Sequence, residues 1–191
     1  MIDLGGGLRH KHSDDFRDQR VNPARHLQTG RLLLRPVSWR DLRHLIALKG
    51  DPRAYAPMLG GVRPPLLVAE ELAEEVAAWS GRGYGIFALH TRDTLRFVGI
   101  AGLQDRPDGR GVALRFALMP EEQGNGFAAE AASAVLRFGH ERCDLRRIVA
   151  VARADNIGSR QVIGAVGMIE CGFFQRDGVP LIVFESVSNP A

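Results

Sequence analysis

Three apolar runs, Gly85 to His90, Leu95 to Leu103 and Val112 to Met119, follow one another with only Thr91-Arg92-Asp93-Thr94 and Pro107-Asp108-Gly109 marking the breaks. Connections this short return a strand antiparallel to its predecessor, because a parallel return needs a crossover of about a dozen residues or more. The middle of the chain is therefore committed to an antiparallel meander. After Pro120 the apolar period lengthens, and Phe127, Ala131, Val135 and Phe138 share one face of a helix.

The flanking segments supply the other elements. Leu32-Leu33-Leu34 reads as a strand ended by Pro36, and Ser38 as the cap of a helix through Leu42, Leu45, Ile46 and Leu48 that Gly50-Asp51-Pro52 stops. An acidic helix carrying Leu66, Leu67, Ala69, Leu72, Val76 and Trp79 follows the loop Gly60-Gly61 to Pro64-Pro65. Beyond the long helix come a strand at Arg147 to Arg153, a helix from Asn156 to Val166, and strands near Met168 to Phe174 and Leu181 to Val187. The order β-α-α-β-β-β-α-β-α-β-β predicts an α+β (mixed α/β) layer fold on one central sheet.

Residues 1 to 26 read as a disordered tail, with Gly5-Gly6-Gly7, charges, histidines and Asn22-Pro23 but no apolar period. Residues 27 to 191 make the domain. No run approaches the roughly 20 apolar residues of a bilayer span, and the first residues lack the basic and apolar regions of a secretory signal. Cys143 and Cys171 stand apart from each other and from any histidine cluster, which predicts idle thiols in a cytoplasmic protein and no metal site. The net charge is +3 at pH 7 and the cations, nearly all arginine, are interspersed with acids. That pattern argues against a nucleic-acid partner.

The chemistry enters at Gln123-Gly124-Asn125-Gly126-Phe127-Ala128, where the third meander strand passes into the long helix. The first turn of a helix has unpaired amide donors and a partial positive charge, and glycines let a ligand approach the backbone. A diphosphate resting on the amides of Gly124 to Ala128 would meet those donors. No Lys-Ser or Lys-Thr follows, so this is not a Walker loop. The antiparallel meander before it and the missing third glycine exclude a dinucleotide fingerprint. Spacing alone stops at an anion site or a structural helix cap.

The run matches Q/R-x-x-G-x-G/A, the pyrophosphate signature of the GNAT (GCN5-related) N-acetyltransferases, and three other blocks agree in order. Thr29-Gly30-Arg31-Leu32-Leu33-Leu34-Arg35-Pro36 with Trp39-Arg40-Asp41 resembles the opening of the ribosomal-protein-alanine acetyltransferase-like (RimJ/RimL-type) branch. Phe97 to Leu103 resembles its I-G-x-x-G-L strand, and Pro120 to Ala131 its P-E-x-x-G-x-G-Y-A-x-E-A segment. Asn156-Ile157-Gly158-Ser159 with Gly167-Met168 resembles N-x-x-S followed by G-F. The resemblance implies the acyl-CoA N-acyltransferase fold, with a mostly antiparallel twisted sheet flanked by helices. Acetyl-CoA is the implied co-substrate and an amine the acceptor, and a homodimer is left open.

In that family a neutral amine attacks the thioester directly. The resemblance implies that the strand around Phe116, Ala117 and Leu118 splays from its neighbour and pairs with the pantetheine arm, and that Asn156 and Ser159 contact that arm. Ser159 is then the candidate proton donor to the thiolate, while bare reading makes Asp155, Asn156 and Ser159 helix-start residues. Two positions depart from the wider pattern. Ile163 stands where many relatives have a tyrosine acid, and Ala113 where a glutamate base is frequent. Glu130 remains as a candidate base or as the ion-pair partner of an arginine, with His90, Asp105 and Glu185 in reserve. A site without a base favours acceptors already partly neutral, such as an α-amine of pKa near 8, over lysine near 10.4. Trp39, Tyr55, Trp79, Tyr84 and Phe173 are the aromatic residues available for an acceptor pocket or the core. Ala113 and Ile163 also keep open a CoA-binding sensor without catalysis.

Overall fold

A computed structural model of the chain describes residues 25–188. The expected tail lies outside the described residues except for Arg25 and His26. The elements are β1 (Leu27–Gln28), β2 (Leu32–Pro36), α1 (Leu42–Gly50), α2 (Pro52–Tyr55), α3 (Pro65–Arg82), β3 (Ile86–Thr91), β4 (Phe97–Asp105), β5 (Val112–Leu118), α4 (Phe127–Arg142), β6 (Arg147–Arg153), α5 (Ile157–Ala165), β7 (Ile169–Arg176) and β8 (Val179–Val187). One sheet carries all eight strands in the order β1-β2-β3-β4-β5-β6-β8-β7. Every pairing is antiparallel except that of β5 with β6. The expected α+β sheet with flanking helices is what forms.

Side chains alternate across the sheet as the pleat requires, except where the β3–β4 register shifts between Leu89–Gly99 and His90–Phe97 and skips Val98. Phe87, Leu89, Val98, Ala101 and Leu103 pack with Ala131, Val135 and Phe138 of α4 on one face. Ile86, Ala88 and Ile100 pack with Leu45, Leu48, Val68 and Leu72 of α1 and α3 on the other. Trp79 closes the first core against Phe87, edge to face with ring centroids 4.7 Å apart, and its indole N–H donates to the carbonyl of Ile86 at 2.8 Å. A large apolar side chain buried this way contributes about 1.5–3 kcal/mol, so the two cores sandwich the meander firmly.

The entry to α1 shows how local sequence is satisfied. Asp41 is fully buried, and its carboxylate accepts from the Ser38 N–H at 2.9 Å and from both ends of the Arg35 guanidinium. Burial alone would raise the carboxyl's pKa, but the Arg35 and Ser38 donors hold it below the ordinary value. The Ser38 turn is first a short 3-10 segment, Trp39–Asp41, from which α1 continues.

Candidate active site

The sheet splits where β5 meets β6. The two strands share a single register pair, Ala113 with Val149, whereas β4 stays paired with β5 from Asp105–Val112 to Gly99–Leu118. One edge of β5 beyond Ala113 is thus free of strand pairing, the geometry anticipated for Phe116, Ala117 and Leu118. Gly99 permits the close approach of β4 on the paired edge. A Cβ there would stand 2.3 Å from the Ala117 carbonyl oxygen.

A cleft of about 410 Å³ opens between this edge, the head of α4 and α5. Phe116, Ala117, Leu118, Gln123, Gly124, Gly126, Ala128, Asn156 and Ser159 all line it. Asn125 and Phe127 do not. The Phe127 ring is buried with the Arg31 guanidinium 4.7 Å from its centroid, and the Asn125 carbonyl accepts from Arg31 at 2.8 Å. Gly126 takes the left-handed conformation (φ 78°) as the cap of α4, and its carbonyl accepts the first bond of the helix, from Glu130 N–H at 3.1 Å. The amides ahead of Glu130 fall outside the helix's own bonding pattern, and Gly126, Ala128 and Ala129 line the cleft. The Gln123 amide donates to the Leu118 carbonyl at 3.3 Å, tying the loop to the end of β5. Backbone donors at a helix head, with no Cβ on Gly124 or Gly126 to obstruct them, suit a diphosphate.

Asn156 and Ser159 meet at the opposite wall. The Asn156 Oδ1 accepts from the Ser159 backbone N–H at 3.1 Å, so Asn156 is a helix cap and a cleft residue together. Among the described residues the Ser159 hydroxyl makes no hydrogen bond within the protein, which leaves it available to a ligand. Ile163 is buried in the core and lines a smaller cavity, of about 50 Å³, between β5 and β6, where Asn156, Ser159, Phe116 and Arg115 also converge.

Glu130 is placed elsewhere. Its carboxylate accepts from the Thr29 hydroxyl at 2.6 Å, the Arg31 N–H at 2.8 Å and the Arg31 Nε at 2.7 Å, and it does not line the cleft. Burial alone would raise its pKa, but those donors hold the carboxyl below the ordinary range. The arginine-partner alternative is the one the geometry supports. The reserve acids are similarly engaged: Asp105 with Arg82 at 2.9 Å and the Tyr84 hydroxyl at 2.7 Å, Glu185 with Arg147 at 2.6 Å. His90 packs against Phe97, and burial pushes its pKa down.

Across β5, beneath α1 and α3, lies a second cavity of about 300 Å³ that shares Met58, Phe116 and Ala117 with the cleft. Of the aromatic candidates only Tyr55 lines it; Trp79 is core, and Trp39 and Phe173 are exposed. Its wall holds a network absent from the sequence reading. Lys49, 1% exposed, donates to Glu71 at 2.8 Å and Glu75 at 2.9 Å, and Arg63 donates to Glu71 at 2.7 Å. Glu75 is 8% exposed, and its Oε2 has no hydrogen-bond partner. Burial pushes the Glu75 carboxyl up against the opposing pull of Lys49, while Lys49 is held charged because its acidic neighbours outweigh its own burial. A sequence signal existed. Val68, Leu72, Glu75 and Trp79 form the buried stripe of α3, so Glu75 is a charge at a core position.

The splayed sheet, the glycine-headed helix and the cleft joining them define an acyl-CoA-type transferase fold. The family model for the acetyltransferase (GNAT) domain matches residues 31–169, and the chain belongs to that family of acetyltransferases. It is 26% identical over 151 residues to the uncharacterised N-acetyltransferase YnaD of Bacillus subtilis, covering 79% of this chain and 86% of the relative. An acetyltransferase from Agrobacterium tumefaciens superimposes with a TM-score of 0.76 at 24% identity, covering 85% of this chain and 94% of the other. RimL, the ribosomal L7/L12 alpha-N-protein acetyltransferase solved with coenzyme A, shares the fold with a TM-score of 0.69 at 16% identity, covering 85% of this chain and 97% of that one.

Proposed function

We propose that the chain carries the acetyl group of acetyl-CoA to a peptide N-terminal α-amine or a small amine. The observation that supports this most is that the unpaired edge of β5 and the glycine-headed turn of α4 face one cleft, with the Ser159 hydroxyl beside them. Acetyl-CoA supplies an activated acyl thioester. The amides at Gly124 to Ala128 would hold its pyrophosphate, and the main chain of Phe116 to Leu118 would align the pantetheine amides and polarise the acetyl carbonyl. The neutral amine enters from the cavity under α1 and α3. Its nitrogen bonds to the carbonyl carbon and the C–S bond breaks; the departing thiolate takes the Ser159 hydroxyl proton, and the proton shed by the nitrogen passes through water to restore that hydroxyl.

Titration calorimetry with acetyl-CoA tests the first half, and no binding at millimolar cofactor would sink it. A thiol-release assay over peptides and small amines tests the second. A protein that binds acetyl-CoA tightly and stays silent across such a panel is the CoA sensor that Ala113 and Ile163 left open.

A further inference from the structure

The cavity under α1 and α3 is more specific than a passage for any amine. Five basic and four acidic side chains line it. Most of these charges are matched inside the protein. Lys49 and Arg63 are held by Glu71 and Glu75, Arg106 by Asp108, and Asp105 by Arg82. Arg115 stands apart. It lies on β5 immediately before Phe116 and lines both this cavity and the small one between β5 and β6. Its guanidinium donates to a neutral acceptor, Gln104 Oε1 at 3.2 Å, and among the described residues no carboxylate lies within ion-pair distance of it. A planar fork of donors, partly buried and without an anion, is built for a carboxylate. The same wall carries the opposite deficiency. Glu75 Oε2 is a buried acceptor without a donor, an arrangement that costs free energy until something donates to it.

We propose that this cavity takes a small amine that itself carries a carboxylate, its carboxylate forked by Arg115 and its amine N–H directed at Glu75. The proposal rests on the acetyl-transfer reading above and narrows its acceptor class. An acceptor with a neutral nitrogen and an ionised carboxylate offers Arg115 its missing anion and Glu75 a donor N–H in one molecule. A dianionic phosphate would face Glu71, Glu74 and Glu75, and a plain cationic amine would leave Arg115 unanswered. The volume, about 300 Å³, fits a molecule of amino-acid size.

The experiment pairs each carboxylate-bearing amine with its own amide: alanine with alaninamide, β-alanine with β-alaninamide, 4-aminobutyrate with its amide. Thiol release gives kcat/KM for each, and calorimetry gives the acetyl-CoA Kd separately. In the wild-type protein the carboxylate member of at least one pair is turned over. In Arg115→Gln its advantage over the amide falls by about tenfold to a hundredfold, the cost of one charge-assisted fork, mainly through KM. Arg115→Lys keeps part of that advantage, and the acetyl-CoA Kd stays within about threefold in both variants. A carboxylate-to-amide ratio that changes by less than about threefold in Arg115→Gln overturns the proposal. So does a protein that binds acetyl-CoA but acetylates only amines without a carboxylate. So does an acetyl-CoA Kd that moves with Arg115, which would make it a cofactor residue. Failure to bind acetyl-CoA at all is seen before any amine is added, and is the failure of the underlying reading instead.

Discussion

On the α4–α5 side of β5 the cleft presents one charged side chain, Arg53, among glycines, alanines and amides, whereas the cavity under α1 and α3 is walled by nine. On the proposed reading, the cofactor side would work through the backbone: an unpaired strand edge and the first turn of α4. The proposed acceptor side would work through side chains brought together from α1, α3, β4 and β5. Backbone recognition fits a cofactor of fixed chemistry, because it depends on little besides φ, ψ and the absence of a Cβ. Side-chain recognition can be changed one residue at a time without disturbing the strand that serves both.

The two sides are expected to fail differently when damaged. The largest effect is expected on the charged side, in stability. Lys49→Met strands Glu75 without its cation and should cost about 3–5 kcal/mol in urea unfolding, while Lys49→Met with Glu75→Leu should recover most of it. For a domain this size the single variant corresponds to roughly 6–20 °C in Tm. A loss of only a few tenths would mean the network is solvated and the contrast overstated. On the cofactor side, Gly124→Asp puts a carboxylate where no protein atom comes within 4 Å of the new Cβ. It should weaken acetyl-CoA binding by more than about a hundredfold, near 3 kcal/mol, by calorimetry. Gly124→Ala is the control, since it carries the same left-handed strain without the charge, and its affinity should stay within about threefold.

Ser159→Ala probes the seam between the two sides. It should lower kcat by about a hundredfold, the low end for a positioned proton donor, with the acetyl-CoA Kd unchanged. An unchanged kcat would assign the thiolate's proton to water alone. The smallest effect is a pH dependence. The folded pKa of Glu75 is raised, so the folded protein binds this proton more tightly than the unfolded chain. Its contribution is therefore full below the ordinary carboxyl value and is lost as pH rises from there through the folded pKa. The slope is at most about 1.4 kcal/mol per pH unit within that window. Unfolding free energies of Glu75→Gln measured across pH 4 to 7 should lack this component; an identical profile would place Glu75 in contact with water.

The same division explains what could be read from the sequence. That Gly124, Gly126 and the strand through Phe116 would border one cleft was legible because a glycine turn and a break between strand and helix leave a local trace. The place of Asn156 and Ser159 on that cleft was suggested only by resemblance, since a helix cap uses the same residue types. The charged wall of the cavity under α1 and α3 was not legible. Lys49, Glu75 and Arg115 are far apart in the chain, and each alone resembles a solvated charge. Only the placement of Glu75 in the apolar stripe of α3 betrayed burial. Glu130 was ambiguous because an acid near a helix start suits a base, a dipole partner or an ion pair equally, and its contacts with Thr29 and Arg31 depend on how β1 and β2 return to α4.

Those contacts carry a consequence for how the molecule is assembled. Arg31 reaches across 94 residues to hold the Asn125 carbonyl and across 99 to bind Glu130, so the glycine turn is shaped by the opposite end of the domain. Closing so long a span comes late in folding, after the local hairpins have formed. The turn is consequently not portable. A chain beginning after Arg31, or the glycine segment grafted on another helix, would have the motif without its brace, and cofactor capture by the intact protein doubles as a report that its first strands have docked.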